Sequence, residues 1–304
     1  MFNTPVLLLG FNRPGHFREL INCLRAVAPN NIYVAIDGPR DFNETDARNV
    51  SETISLIDCI DWECNLHVLK QESNLGCGLA VTTAISWVLG AEEMVIILED
   101  DIRPNGSFFE FCQQMLHQYR YDEKIMTICG HSTIQIDGAS QDYRLSKYPE
   151  IWGWATWRRS WDLYRYSISD LPKISFNRLL AIYGGNFLLA MQCWMNFRAI
   201  RNHSVDTWDY QLVYSSYHFH KLHVIPNCNL TRNVGFNDFA THTKFLPVPS
   251  PEPKEILNIR FDSAIECTLR YEKQNRIFLQ RQFLRSLRVY LTIKLKSLLK
   301  PLIR

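Results

Sequence analysis

The sequence predicts an α/β fold with a mostly parallel sheet covered by helices on both faces. Over roughly the first hundred residues, short apolar runs of strand length alternate with longer segments of helical periodicity. Such a βαβαβαβ order is typical of parallel sheets, because each crossover helix packs back onto the sheet. The chain has 304 residues, nearly half of them apolar and about a fifth charged, which is ample for a full core.

The elements follow one another without long interruptions. Strands are predicted at 5–10, 31–36, 66–69, 94–98, 125–129 and 223–226. Helices are predicted at 15–28, 45–60, 79–89, 108–120 and 187–201, where apolar residues recur at helical spacing. In parallel sheets of this kind, ligands bind beyond the carboxyl ends of the strands. Residues that directly follow a strand are therefore the first candidates for a site.

Three consecutive carboxylates, Glu99, Asp100 and Asp101, directly follow the apolar strand at 94–98. Like charges at a partly desolvated strand end repel one another, and a divalent cation removes the conflict. Hard oxygen ligands suit Mg²⁺ or Mn²⁺. The cluster therefore predicts a metal site, and the plainer alternative is a solvated acidic loop.

Two further strand ends carry weaker signals. Asp37 ends the second strand, where it could accept hydrogen bonds from a nucleobase or ribose or simply stabilise a turn. The pattern Asn74-x-Gly76-x-Gly78 precedes a helix, and a glycine-rich helix start favours phosphate, although an ordinary loop needs the same glycines.

Segment 95–111, VIILEDDIRPNGSFFEF, resembles the metal-binding segment of the N-acetylglucosaminyltransferase I family of inverting GT-A glycosyltransferases. Segments 8–14, 148–154, 208–209 and 231–242 resemble, in the same order, further stretches of that family, so the resemblance covers about residues 5 to 245. The WGWATW block at 152–157 is also similar to bacterial family-2-type glycosyltransferases of surface polysaccharide assembly. One departure is that the family's Asp-Asp pair after the tryptophan is Asp209-Tyr210 here.

The resemblance implies a GT-A (Rossmann-like) domain at 1–245, with a nucleotide-sugar-binding half at 1–130 and an acceptor half at 131–245. It also implies roles for single residues. Asp101 would bind the metal, and Asp209 would be the catalytic base that takes the proton of the acceptor hydroxyl. The implied donor-binding residues are Arg13, Asp37, Glu99, Asp100, Trp154, Arg232 and His242.

Plainer roles remain open for three of these residues. Asp209 could cap a helix, Trp154 could belong to the core, and His242 could lie on a surface loop. Two other functions also remain open: a sugar nucleotidyltransferase, and a non-catalytic nucleotide-sugar-binding protein. The first class usually has a glycine-rich loop with Arg and Lys after the first strand, which residues 10–15 match poorly.

The resemblance favours a UDP-sugar donor, with GlcNAc as the favoured sugar, and Mn²⁺ or Mg²⁺ as cofactor. The expected acceptor is a glycan or a lipid-linked saccharide of surface polysaccharide assembly. The nine cysteines are scattered without a CxxC pair, and no secretion signal precedes the first strand, so we expect a cytoplasmic protein.

The C-terminal part differs in charge from the rest. Residues 273–304 carry nine basic residues and no acidic residue, which leaves 24 basic and 31 acidic residues in the remainder. Because the core is acidic, nucleic-acid binding is not expected. We predict a linker at 246–272 and a basic amphipathic helical tail at 273–304, with leucines on one side and Arg and Lys opposite. Such a helix binds an anionic membrane surface, here the inner face of the cell membrane, or packs on the protein itself.

Overall fold

The computed structural model describes residues 2–135, 142–235, 251–256, 259–260, 272–281 and 284. The strands are β1 (Val6–Gly10), β2 (Asn31–Ile36), β3 (Asn65–Lys70), β4 (Met94–Glu99), β5 (Ile102–Pro104), β6 (Ile125–Cys129), β7 (Tyr143–Ser146), β8 (Trp154–Trp157), β9 (Leu222–Pro226) and β10 (Thr231–Asn233). The α-helices are α1 (Pro14–Arg25), α2 (Glu44–Ser55), α3 (Gly76–Ala91), α4 (Gly106–Gln118), α5 (Arg158–Trp161), α6 (Phe176–Ile182), α7 (Phe187–Arg201) and α8 (Asp209–His218). Short 3₁₀ turns lie at Leu56–Cys59 and Ile168–Asp170.

Eight strands form one sheet in the order β3-β2-β1-β4-β8-β6-β9-β7. The first four are parallel, β8 runs against both β4 and β6, β9 is parallel to β6, and β7 is antiparallel to β9. Only β8 and β7 therefore oppose the common direction, and the predicted mostly parallel sheet is confirmed. A small antiparallel pair, β5 and β10, lies beside it.

Helices cover both faces of the sheet, as predicted. Successive residues of β1 point to opposite faces, so Leu8 packs in the cluster that contains Phe17 of α1 and Phe108 of α4. Leu7 packs in the other cluster, with Ile85 of α3. The buried residues of these two clusters pack the helices against the sheet beneath its carboxyl edge.

The sequence did not predict β8, although it drew attention to the aromatic block that contains it. Every residue of β8 is buried, and Trp154 and Trp157 rank among the largest fully enclosed side chains. A strand inserted in the middle of a sheet contacts both helical layers, so it shows no alternation of apolar and polar residues. Its short length leaves no other signal.

A third apolar cluster lies among α6, α7 and α8, with Phe197 and Tyr214 near its centre. Residues 272–281 are helical and dock on it: Leu279 packs against the cluster, and Asn186 donates to Gln280 at 2.9 Å. The ammonium of Lys147 lies 3.2 Å from the buried carboxylate of Glu272. The first turns of the predicted tail thus pack on the protein, while 285–304 and most of the predicted linker lie outside the described residues. The domain division remains a prediction.

Among the residues that the structure describes, no helix has both the length and the apolarity to cross a bilayer.

Candidate functional site

A cleft of about 450 Å³ opens at the carboxyl edge of the parallel strands. Strand β1 pairs with β2 on one side and β4 on the other, with Gly10 opposite Ile36 and Leu9 opposite Glu99. The segments that follow these three strands therefore meet at one place. The polar and charged side chains on its walls are Asn12, Arg13, Asp37, Arg40, Asn74, Cys77, Glu99, Asp100, Asp101, Asp206, Thr207, Asp209 and Asn233.

Arg13 joins the two aspartates of the acidic cluster. Its guanidinium forms a fork on Asp100, through Nε at 3.1 Å and a second, close contact from Nη2, and Nη1 donates to Asp101 at 3.1 Å. Burial lowers the pKa of Arg13, but the charges of Asp100 and Asp101 outweigh it and raise the pKa overall. Arg13 is therefore a permanent cation at this end of the cleft.

Two carboxylates of the cluster, Glu99 and Asp100, are desolvated. Burial raises the pKa of Glu99, and the charges of Asp101 and Asp100 raise it further. Burial also raises the pKa of Asp100, and Arg13 opposes this effect. Both groups bind protons more readily than ordinary carboxyls. A further cation in the cleft would therefore be attracted by the cluster and would stabilise its charged form.

Asp101 is the cluster's most accessible member for a metal ion. One of its oxygens accepts from Arg13, and among the described residues its Oδ1 has no hydrogen-bond partner. Gly235 packs so closely on Oδ2 that a Cβ there would come within 2.2 Å. No group of three or more His, Cys, Asp or Glu side chains in the described part of the chain is arranged to hold a metal. One free carboxylate oxygen fits a cation whose remaining ligands come from a diphosphate and water.

Asp37 has its carboxylate turned toward its own loop. Oδ1 accepts from the backbone of Gly38 and of Leu75, both at 2.9 Å, and Oδ2 accepts from the Asn74 side chain at 2.8 Å. Burial raises the pKa of Asp37, and the two backbone N–H groups lower it. Asp37 thus fixes the 74–75 loop at the cleft and keeps one lone pair of Oδ2 for a ligand.

Asp46, a buried residue of α2, holds two cleft residues in place. It accepts from Asn12 at 2.6 Å and from Arg40 at 2.9 Å. The bond from Arg40 is the main cause of the lowered pKa of Asp46, and burial acts against it. Asn12 and Arg40 are therefore both positioned by one anion.

The first turn of α3 binds a side-chain carboxylate from a distant part of the same chain. Asp206 accepts from the backbone N–H of Cys77 and of Gly78, both at 2.9 Å. Gly76 has φ +80°, and a Cβ there would lie 2.4 Å from Asp206. The interpretation of the glycine pattern as a phosphate cradle is therefore not supported in this conformation. The glycines instead make room for Asp206.

Asp209 lies at the first turn of α8, where the helix dipole favours an anion. Its Oδ1 accepts from its neighbour's backbone N–H, that of Tyr210, at 2.7 Å and from the Thr207 hydroxyl. Oδ2 has no partner among the described residues. The charge of Asp209 contributes, after burial and the other aspartates, to the raised pKa of Glu99, so the two groups face one space. The N-cap of α8 is Trp208 and has no side-chain capping bond, so Asp209 does not cap the helix, and its bonds use Oδ1 alone.

Two of the predicted donor-binding residues, Trp154 and Arg232, lie outside the cleft lining, and a third is not described. Trp154 is 1 % exposed and stacks on Trp208 with ring centroids 5.4 Å apart, in the core beneath the cleft. Arg232 extends from β10 into solvent, with its side chain 63 % exposed and 3.7 Å from Glu252. His242 falls outside the described residues. Trp154 therefore supports the cleft through Trp208 and does not line it.

Sequence reasoning missed several wall residues, among them Thr207, Trp152 and Asn233. Asp206 also lines the cleft. Its partner is the glycine pattern at 76–78, and the two segments are about 130 residues apart in sequence. Local patterns show that each segment is unusual, and only the fold shows that they fit each other.

No family model and no curated protein matches the sequence. Solved structures with some likeness include S. aureus TarS, residues 1–349, at 11 % identity and TM-score 0.42, covering 77 % of this chain and 60 % of that one. An apo UDP-glucose pyrophosphorylase has 8 % identity and TM-score 0.38 over 75 % of this chain and 91 % of its own. The mannosyltransferase PcManGT from Pyrobaculum calidifontis, solved with GDP-mannose and Mn²⁺, has 13 % identity and TM-score 0.34 over 60 % and 52 %.

These likenesses include a mannosyltransferase and a pyrophosphorylase, and at TM-scores below 0.5 they carry no argument about function. This chain also spans less than two thirds of the TarS fragment. The residues in the cleft must therefore carry the functional argument.

Proposed function

We propose that the protein is an inverting, metal-dependent glycosyltransferase that moves a sugar from a nucleotide sugar to a glycan or lipid-linked acceptor. One observation carries the proposal: Asp209, with a free carboxylate oxygen, faces the Glu99-Asp100-Asp101 cluster across a single cleft. An inverting transfer needs a base on one side of the anomeric carbon and charge stabilisation for the departing nucleotide on the other.

The donor would lie along the carboxyl edge of β1, β2 and β4. Asp37, at the end of β2, retains an acceptor lone pair for the nucleobase or ribose, and Arg40 lies beside it at the cleft wall. Asp100 is engaged by Arg13, so it shapes the ribose side through that ion pair rather than as a free anion. Glu99 lines the same cleft, and its carboxylate would accept a hydrogen bond from a hydroxyl of the donor sugar.

The metal would be held by Asp101, with Mn²⁺ or Mg²⁺ suited to its single free oxygen. When bound, such a cation offsets the charge that develops on the departing diphosphate. Arg13 lies 3.1 Å from the other oxygen of Asp101, so it keeps that carboxylate oriented toward the cleft.

On the acceptor side, Asp209 would remove the proton of the attacking hydroxyl through Oδ2. The bonds from Thr207 and from the backbone of Tyr210 hold Oδ1 and thereby fix the direction of Oδ2. Trp208 is held from below by Trp154 and by Tyr164, whose hydroxyl donates to the Trp208 carbonyl at 3.2 Å. These contacts fix the position of Trp208 and so of the neighbouring Asp209, as catalysis by a positioned base requires.

Several finer points of this proposal rest on the sequence resemblance alone. They are the UDP-sugar donor with GlcNAc as the favoured sugar, a place in surface polysaccharide assembly, and the donor-binding roles proposed for His242 and for the exposed Arg232. The cytoplasmic location rests instead on the cysteine pattern, and the inner face of the membrane on the basic tail.

The test is hydrolysis of a panel of UDP-, GDP- and dTDP-sugars by the purified chain, with Mn²⁺, with Mg²⁺ and with excess chelator. We expect cation-dependent release of nucleoside diphosphate from at least one donor. Synthesis of a nucleotide sugar from a nucleoside triphosphate and a sugar 1-phosphate, without any donor hydrolysis, would instead establish the nucleotidyltransferase. Nucleotide-sugar binding without either reaction would establish a binding protein.

A further inference from the structure

A second pocket lies outside the catalytic cleft, on the helical cluster of the acceptor half. It encloses about 340 Å³ and is lined by Lys173, Ile174, Trp194, Phe197, Arg198, Arg201, Asn202 and Tyr214. Three of these residues are cations and none is a carboxylate. We call it the basic pocket, and nothing in the proposed chemistry of the cleft uses it.

The floor of the basic pocket is fixed by hydrogen bonds to the hydroxyl of Tyr214. That hydroxyl donates to the carbonyl of Pro172 at 2.8 Å and accepts from Arg201 at 3.0 Å and from the backbone of Ile174 at 3.3 Å. Tyr214 itself is 2 % exposed. The floor of the pocket is therefore built into the packing of α7 and α8, whereas the side chains of Lys173 and Arg198 in its lining are exposed.

The three cations have no carboxylate partner among the residues that the structure describes. Arg198 and Arg201 lie in the last turn of α7, where the helix dipole favours them. Lys173 comes from the segment before α6, so the dipole of α7 does not explain its presence. Asp170, a short distance earlier in the chain, is exposed and does not line the pocket. Converging cations without counter-charges attract an anionic group, and arginine matches phosphate and carboxylate geometry.

An aromatic ring completes the lining. Trp194 is partly exposed, and the Arg198 guanidinium lies 4.7 Å from the centre of its ring. A flat apolar ring beside a few polar groups is typical of pockets that bind small organic ligands. Sugar rings present C–H faces that pack on such a surface. Ring and cations together select a saccharide that carries an anionic group.

The basic pocket is connected to the cleft by a short segment. Asn202 lines the pocket, and Asp206, Thr207 and Asp209 line the cleft. Seven residues of extended chain span at most about 25 Å, so a saccharide of a few units can reach from one site to the other. Asp206 is bonded to the start of α3, so the far end of this segment is fixed.

We propose that the basic pocket is an acceptor subsite that binds a phosphate- or carboxylate-bearing saccharide, several sugar units away from the hydroxyl that is glycosylated. This inference rests on the proposed glycosyltransferase function. The cations would bind the anionic group, and the ring of Trp194 would pack on the sugar. The acceptor would then extend along the segment from Asn202 to Asp209 to reach the proposed base.

The test measures binding calorimetrically at low ionic strength with four probes: glucose 6-phosphate, glucuronate, glucose and inorganic phosphate. We expect both anionic sugars to bind more tightly than glucose, and glucose 6-phosphate more tightly than inorganic phosphate. The double variant Lys173→Glu/Arg198→Glu should weaken binding of the anionic sugars at least tenfold. The matched control is Arg18→Glu/Arg48→Glu, which reverses two exposed cations of α1 and α2 and should leave binding unchanged.

Trp194→Ala should reduce the affinity for glucose 6-phosphate to that for inorganic phosphate. Equal binding of glucose and the anionic sugars, or unchanged binding in Lys173→Glu/Arg198→Glu, would overturn the proposal. Donor hydrolysis, measured on the same proteins, should be equal in wild type and double variant. Hydrolysis without anionic-sugar binding rejects only the subsite, and anionic-sugar binding without hydrolysis rejects only the glycosyltransferase.

Discussion

The carboxylate of Asp206 accepts a hydrogen bond from the backbone N–H of Gly78, 128 residues away in sequence, at 2.9 Å. A second bond of the same length comes from Cys77. The segment that carries the proposed base is thereby fixed to the first turn of α3, on the donor side of the cleft. The Asp206 carboxylate, bound at the N-terminus of α3, therefore connects the two walls of the cleft.

Gly76→Ala tests this arrangement. A Cβ at Gly76 would lie 2.4 Å from Asp206, and the residue has φ +80°, which costs a non-glycine residue about 1–2 kcal/mol before any clash. We expect a free energy of unfolding lower by at least about 2 kcal/mol and a lower transfer rate. The control is Gly90→Ala in the same helix, where a Cβ would meet nothing within 4 Å. It should be neutral or stabilise by about 1 kcal/mol. Equal effects of the two changes in urea unfolding would contradict this interpretation.

Asp209→Asn should lower the transfer rate by roughly 10² or more and change donor affinity little. The amide keeps an oxygen for the bonds from Thr207 and Tyr210 but cannot accept the acceptor's proton. The measurement is kcat with saturating donor alongside nucleotide affinity by calorimetry. A parallel loss of nucleotide affinity would show that Asp209 is structural.

Asp101→Asn should abolish the effect of Mn²⁺ on nucleotide binding, because it removes the charge from the proposed metal ligand. The measurement is the thermal shift by nucleoside diphosphate with Mn²⁺ and with chelator. Wild type should show a larger shift with Mn²⁺, and the variant should show the same shift in both. Undiminished donor hydrolysis by wild type in saturating chelator would disprove metal dependence.

His223 should make stability depend on pH. Burial lowers its pKa to about 3, whereas the unfolded chain binds this proton below about pH 6.5. The free energy of unfolding is therefore unaffected by this histidine above pH 6.5. It decreases as pH falls from 6.5 toward 3, because the unfolded state then binds the extra proton. At pH 5 this amounts to about 2 kcal/mol. His223→Asn should reduce the drop in the free energy of unfolding between pH 7 and pH 5 by about that amount. Equal drops for variant and wild type in urea unfolding would contradict it.

The membrane role of the tail is tested by deleting residues 285–304, which leaves the docked segment 272–281 intact. Each basic residue near an anionic surface contributes about 1 kcal/mol, and the effect fades within a Debye length of about 8–10 Å. We expect the full chain to sediment with anionic vesicles at low salt and the truncated chain to remain in the supernatant, with equal donor hydrolysis. A full chain that remains in the supernatant at low salt would exclude membrane binding by the tail.

The parallel half of the fold could be predicted from sequence because its elements are local. β2, β6 and α7 have the predicted bounds, since each is a continuous run with clear flanking residues. Helix α3 begins at Gly76, three residues before its predicted start, because the carboxylate of Asp206 satisfies its first N–H groups. No local pattern contains that information.

The same difference between local and long-range information applies to the site. The ends of strands in a parallel sheet meet at one edge, so Asp37 and the acidic cluster could be placed together from the order of elements, whereas Arg13 was identified by the resemblance. Whether Trp154 faces the cleft or the core depends on β8, a strand without alternation. The sequence resemblance identified that block but not which side of the sheet its rings occupy.

The fork of Arg13 on Asp100 gives the protein an internal counter-ion that no chelator can remove. Asp100 is 2 % exposed, and its charge is matched whether or not a divalent ion occupies the cleft. Folding therefore does not require the proposed metal: the chain should stay folded when the ion is withdrawn, while turnover should stop. In the proposed enzyme, the metal would then exchange with each nucleotide that enters and leaves, as a co-substrate and not as a structural component.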